Sequence, residues 1–234
     1  MKLPTVSINK DILKIIALIT MTIDHIGQYL SYIPFADASR YIGRISFPIF
    51  AFLLMEHLYK KQIFKKYIIR LSVFGGLTML LLCPFHGLID GTTIYPLNIL
   101  FTFLNAILFL LCYEWINNEP VKHWMKIVAQ MFNFICYGAI SCACQYGIMG
   151  FCYLIMIYFY FRYPTYVRYI LILILSIQIN TDHYWWIVSL LTTLCLLQAT
   201  SNNNQKRYIK PWWVFYLYYP LHLFILATIS YCCK

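Results

Sequence analysis

Residues 14–25 read Lys14-Ile-Ile-Ala-Leu-Ile-Thr-Met-Thr-Ile-Asp24-His25, an uncharged run that ends on an acid and an imidazole side by side. Continued to about Tyr32, the run is long enough for one membrane-crossing helix, which needs about 20 mostly apolar residues. Eleven residues are close to three helical turns, so Lys14 and His25 share a stripe, about 16 Å apart. A cation at one end and a titratable base at the other suit an extended ligand. Asp24 sits about 100° round the axis, on the stripe of Ala17, Met21, Gln28 and Ser31. It does not orient His25 from within the same helix, so its partner has to come from another.

The rest of the chain has the same character. Its 234 residues are 62% hydrophobic and only 11% charged, with a mean hydropathy of +0.68, whereas an ordinary soluble domain carries about 25% charged residues. Apolar runs recur from end to end without the period-2 alternation of a barrel, which predicts an all-α, polytopic transmembrane helical bundle forming one domain over 1–234. The first run is too long for a signal-peptide core and has no small-residue cleavage site after it, so it stays in the mature protein. Nine spans are expected, with eight to ten as the range: 12–33, 41–59, 63–83, 94–116, 124–143, 146–162, 166–180, 184–199 and 211–231.

Basic residues flanking such spans are retained on the cytoplasmic side. With the N-terminus cytoplasmic, fifteen of the eighteen Lys and Arg fall in inner segments, and only Arg40, Arg44 and Lys234 fall outside. The formal charge of +10 thus reads as a topology signal on a multi-pass membrane protein, with the lipid bilayer as its expected partner and no nucleic acid. Asp90 and Asp182 read as ordinary loop residues, and His57, His123 and His183 as interfacial. The nine cysteines have no zinc-type spacing. Cys142, Cys144, Cys232 and Cys233 would lie near the outer face, with their pairing left open.

Within the second span, Gly43-Arg44-Ile-Ser-Phe47-Pro48 places a proline four residues after Arg44. The Arg44 carbonyl therefore loses its helix partner and is free to bend the chain or to bind something. The last span, Tyr216-Leu-Tyr218-Tyr219-Pro220-Leu-His222, again pairs a helix proline with an ionisable residue. Counting depth from each end brings Asp24, His25, Arg44 and His222 to compatible levels. Ionisable groups in hydrocarbon cost a few kcal/mol each, so such a cluster implies pairing or a functional cavity. An Asp24–Arg44 bridge alone would only fix packing, whereas two histidines add proton-transfer chemistry near neutral pH. No nucleophile elbow, Walker loop, dinucleotide turn or His-x-x-x-His pair is present, and no metal is expected. Lys60, Lys65, Lys66 and Arg70 anchor the chain on anionic lipid and would also suit the phosphates of a nucleotide cofactor.

Leu13 to Gly27, Gly43 to Leu54, Tyr67-Ile-Ile-Arg70-Leu71, Asn98-Ile-Leu-Phe-Thr102 and Tyr216 to Leu223 resemble blocks of the TraX family, the membrane acetylases associated with conjugative pilin. The Lys14-x10-His25 spacing is also similar to that of the transmembrane acyltransferase-3 enzymes. In those enzymes the His is catalytic and the donor is an acyl-coenzyme A. One departure is Gln145 in Gln145-Tyr-Gly147-Ile-Met-Gly150, where the family leads to an acidic residue before Tyr-Gly. The resemblance implies an acetyl-CoA-dependent acetyltransferase acting on a peptide or glycan acceptor, an amine or hydroxyl of an envelope component such as a pilin-like N-terminus. His25, Asp24, Arg44 and His222 would be catalytic, and Lys14, Lys60, Lys65, Lys66 and Arg70 would hold acetyl-CoA. A proton-coupled transporter or a structural subunit of a membrane assembly would use the same buried charges.

Overall fold

Asn9 starts the first helix. Its side-chain oxygen accepts the backbone N–H of Asp11 at 2.9 Å, and Asp11 complements the positive helix end, so the chain winds into α1, Lys10–Tyr29. The structure, a computed structural model, describes residues 6–85, 97–179, 185–201 and 213–233, with the backbone alone at 6–8 and 199–201. Asp90, Asp182, His183, Lys2, Lys206, Arg207, Lys210 and Lys234 lie outside the described residues. After α1 come α2 (Ala36–Gly43), α3 (Ser46–Lys61), α4 (Phe64–Leu82), α5 (Ile99–Asn118) and α6 (His123–Ser141). α7 (Gly147–Arg162), α8 (Tyr166–Gln178), α9 (Trp186–Gln198) and α10 (Trp213–Cys232) complete the helical bundle. Two short strands pair in parallel, β1 (Val6–Ile8) with β2 (Ala199–Ser201), and Leu97 makes an isolated parallel bridge with Cys144.

Each expected span corresponds to a helix, with a correction at the second. The run at 41–59 is not continuous from its start: the helix breaks at Arg44–Ile45 and α2 separates from α3. Pro48 consequently stands in the first turn of α3, where a missing N–H does no harm. The Arg44 carbonyl that it frees accepts the Ser189 hydroxyl of α9 at 3.4 Å. Ser46 Oγ donates to the Gly43 carbonyl at 2.8 Å, which satisfies a second group at the break.

The helices are turned inside out relative to a soluble bundle. In α1, Ile12, Ile15, Ile16 and Ile19 point away from the protein, with Ile12 50% and Ile19 55% exposed, while Ala17, Met21, Asp24 and His25 are buried. In α6, Met131, Phe132 and Ile135 are exposed and Asn133 is buried. Apolar residues out and polar residues in is the arrangement that lipid, not water, stabilises. Four helical stretches, Ala36–Lys61, Phe64–Phe85, Ile99–Asn118 and Trp213–Cys232, are long and apolar enough to cross a membrane, and three shorter apolar helices accompany them. This is a membrane protein.

Because lipid tails are as apolar as leucine, such helices associate through close packing and interhelical hydrogen bonds, each contributing about 0.6–2 kcal/mol. Gly27 of α1 abuts the Ala36 carbonyl of α2, which a Cβ would approach to 2.5 Å. Asn105 of α5 donates to the Tyr137 carbonyl at 2.8 Å and to Ser141 Oγ of α6 at 2.7 Å. Tyr153 of α7 pairs with Thr193 of α9 at 2.8 Å. Glu114 of α5 forms an ion pair with Arg162 of α7 and accepts the Tyr158 hydroxyl at 3.0 Å. Helices α1, α3, α4, α5 and α10 are left surrounding an elongated space.

Candidate active site

That space is a cavity of about 960 Å³, inside the range of roughly 300–1,000 Å³ usual for small-molecule sites. Its two ends differ in chemistry. At one end stand six basic residues, Lys10, Lys14, Lys60, Lys61, Lys66 and Arg70. Leu18, Met21, Phe50, Leu53 and Leu71 form an apolar middle, and Asp24, His25, Gln145 and Tyr146 close the far end. The Lys14 to His25 stripe of α1 runs the length of the cavity. His57, assigned no role from sequence, also lines it.

Three of the basic groups are held by buried acids. Glu56, 3% exposed, takes Lys10 at 3.0 Å and Lys60 at 2.5 Å, and Lys14 reaches Asp11 at 2.8 Å while lying over the Phe215 ring at 5.6 Å. Arg70 lies over Tyr216 at 5.7 Å. Of the residues expected to grip a nucleotide, Lys14, Lys60, Lys66 and Arg70 reach the cavity and the exposed Lys65 does not. On a helix, Lys65 is turned by about 100° from Lys66, away from the lining face.

At the far end His25 and His222 meet. His25 Nδ1 lies 2.8 Å from His222 Nε2, and His222 Nδ1 lies 2.8 Å from the Tyr218 carbonyl one turn earlier in α10. Tyr218 stacks on the His222 ring at 5.0 Å and bonds Thr22 of α1 through its hydroxyl at 2.7 Å. Only His25 of the two histidines lines the cavity; His222 stands behind it.

Asp24 finds its partner on another helix, as its position requires, but the partner is Arg40. Arg40 Nη1 donates to Asp24 Oδ2 at 3.0 Å and to Gln28 at 3.3 Å. The expected Asp24–Arg44 bridge is not formed. Arg40 lies within α2, which packs against α1, whereas Arg44 stands one turn later at the interruption between α2 and α3. Arg44 bonds the Tyr146 hydroxyl at 3.3 Å and stacks over Trp185 at 4.4 Å, although its charge still acts on Asp24. Gly43 makes room for the carboxylate: a Cβ there would collide with Asp24 Cβ, Cγ and Oδ1. Asp24 Oδ1 and Arg44 Nε are buried without hydrogen-bond partners among the described residues. Asp24 therefore orients neither Arg44 nor His222.

Tyr146 is the residue that sequence reasoning passed over. It has φ of 65° and precedes Gly147 at 53°, two left-handed residues in succession, and a non-glycine there is held only by its surroundings. Thr102 grips the preceding carbonyl of Gln145 at 2.6 Å, and Leu97 pairs with the same loop through bonds of 2.8 Å. Gly150 gives the Tyr146 side chain its space, since a Cβ at 150 would lie 2.5 Å from Tyr146 Cβ. The ring then stacks on Phe47 at 4.3 Å. The Gly147 and Gly150 spacing was the visible trace of this arrangement. All nine cysteines are free thiols, and among the described residues no three His, Cys, Asp or Glu gather at a metal-binding distance.

Comparison with known proteins agrees with the motif blocks. The model of a family described as TraX protein matches residues 9–230. An uncharacterized protein of Rickettsia prowazekii (strain Madrid E) is 48% identical over 52 residues, 22% of this chain and 20% of that one. The matched stretch is about a fifth of that relative's length. No solved structure matches. With a family match covering nearly all of a membrane bundle whose Asp-His and Tyr-Pro-Leu-His blocks meet at one buried site, the chain belongs to the TraX family.

Proposed function

We propose that this protein is a membrane acetyltransferase that moves an acetyl group from acetyl-CoA to an amine or hydroxyl of an envelope-associated acceptor, such as a pilin-like peptide N-terminus. The observation that carries this reading is the single cavity joining a basic mouth to His25. Donor phosphates suit the lysines and arginine of the mouth, and the pantetheine arm suits the apolar middle. By the distribution of Lys and Arg, the mouth opens to the cytoplasm, where the donor is made.

At the far end His25 is the general base. It takes the proton from the acceptor nitrogen or oxygen as that atom attacks the thioester carbonyl, then returns it to the departing coenzyme A sulfur. The oxyanion that develops on the carbonyl oxygen needs a hydrogen-bond donor. Tyr146 fits that part: its hydroxyl accepts from Arg44, so its own proton is free to point into the cavity. Arg44 acts from behind Tyr146. Asp24, paired with Arg40, stands beside His25 at the far end of the cavity.

The test uses purified, detergent-solubilised protein with radiolabelled acetyl-CoA. Wild type binds and slowly hydrolyses the donor, Lys14→Ala weakens binding, and His25→Ala binds but turns over at least roughly 10²-fold more slowly. A wild type that neither binds nor hydrolyses the donor sinks the acetyltransferase and makes proton-coupled transport the reading to pursue.

A further inference from the structure

We propose that His222 is a positioning residue that sets the tautomer of His25, so that the second histidine takes the place a carboxylate holds in a catalytic triad. The inference rests on the acetyltransferase reading for its consequence and on hydrogen-bond logic for its content. A backbone carbonyl has no proton to give. The ring atom facing it, His222 Nδ1 at 2.8 Å from the Tyr218 oxygen, must therefore carry the hydrogen. In a neutral imidazole the other nitrogen is then an acceptor, so His222 Nε2 receives its bond from His25 Nδ1 at 2.8 Å. His25 thus donates through Nδ1, and its Nε2 keeps a lone pair. That atom has no protein partner among the described residues, and His25 is the histidine that faces the cavity. One carbonyl of α10 decides, through two rings, which atom of α1 is the base.

The sequence leaves two other places for the orienting group, and neither is taken. Asp24 is committed to Arg40, and Arg44 to Tyr146 and Trp185. Those two guanidinium groups also bear on the charge of His25, but His222 is the side chain that hydrogen-bonds it. His222 is itself fixed from two sides. The Tyr218 ring stacks at 5.0 Å with an interplanar angle of 14°, and Tyr219 meets the ring edge-on at 5.7 Å. Thr22, one turn before His25, ties the Tyr218 hydroxyl back to α1. When His25 Nε2 accepts the acceptor's proton, the imidazolium retains its Nδ1–H bond to His222, so no heavy atom has to move during the transfer.

The deciding experiment is ¹⁵N NMR of ¹⁵N-histidine-labelled full-length protein in detergent, with the two rings assigned by His25→Gln and His222→Gln. Both are expected as neutral Nδ1–H tautomers in wild type, although free imidazole side chains favour Nε2–H. His222→Leu removes the acceptor, and His25 is expected to revert to a mixture weighted to Nε2–H. His222→Gln supplies an amide oxygen and retains the wild-type tautomer. On the same samples, acetyl-CoA hydrolysis is expected to fall roughly 10²-fold in kcat with unchanged KM for His222→Leu, and to recover to within about tenfold of wild type for His222→Gln. An Nε2–H tautomer of His25 in wild type overturns the proposal whatever the activity. Equal activity of His222→Leu and wild type overturns it as well. If wild type hydrolyses no donor but the tautomers are as stated, the acetyltransferase reading fails and the hydrogen-bond assignment stands.

Discussion

Asp24 bonds to Arg40 through one oxygen, rests on Gly43, and lies within the field of Arg44. Removing only the carboxylate takes the counter-charge from half-buried Arg40 and from the buried Arg44 nearby, which is destabilising in a low-dielectric interior. Asp24→Ala is therefore expected to lower the thermal midpoint sharply, in a fluorescence-detected unfolding assay of the detergent-purified protein. The neutral double change Asp24→Asn with Arg40→Gln should recover part of that loss. Asp24→Asn with Arg44→Gln should recover less, and the reverse order would move the ion pair back to Arg44. That the acid needed an interhelical cation was readable from sequence, because ionisable residues stand out in an apolar run. Which arginine it would be was not readable. The two lie one helical turn apart, the second at the point where the helix is interrupted, and that interruption leaves no mark in the apolar pattern.

At the scale of elements, a break and a loop do most to shape the site. Pro48 announced a freed carbonyl at Arg44, and the structure gives that carbonyl the Ser189 hydroxyl. Sequence periodicity alone ran the helix through the break, since Ile45 and Ser46 interrupt no apolar pattern. The loop before α7 was harder to read. Nothing in the letters Gln145-Tyr-Gly marks Tyr146 as packed against the core or left-handed, beyond the two glycines that follow it. Gly150→Ala tests that element. Overpacking against Tyr146 should cost about 1–3 kcal/mol and cut donor turnover by displacing the ring from Phe47. Gly76→Ala is the control, because a Cβ there meets nothing within 4 Å. Equal turnover in the two variants would detach Tyr146 from the chemistry. The short helices α8 and α9, 13 residues each, are only about 20 Å long, and α9 turns its Ser189 and Thr193 inward to bonded partners.

For the molecule as a whole, charge and cavity share one polarity. Every basic residue of the mouth belongs to the set that the positive-inside pattern assigns to the cytoplasm, so the residues that orient the bundle in the membrane are also those that would collect a polyanion. A Lys60→Ala/Lys66→Ala double variant is expected to raise KM for acetyl-CoA about tenfold with kcat unchanged. Wild-type affinity should decline as salt rises toward 0.5 M, and acetyl-dephospho-coenzyme A should feel the double change less. A salt-independent KM would remove phosphate capture from the mouth. The geometry of α1 adds a consequence of its own. With a cation at residue 14 and a base at residue 25 on one rigid stripe, the helix is a ruler about 16 Å long. A donor anchored by its phosphates would present to His25 whichever bond lies at that distance, so the proposed transferase would select the reach of the carrier before it could sense the size of the group carried.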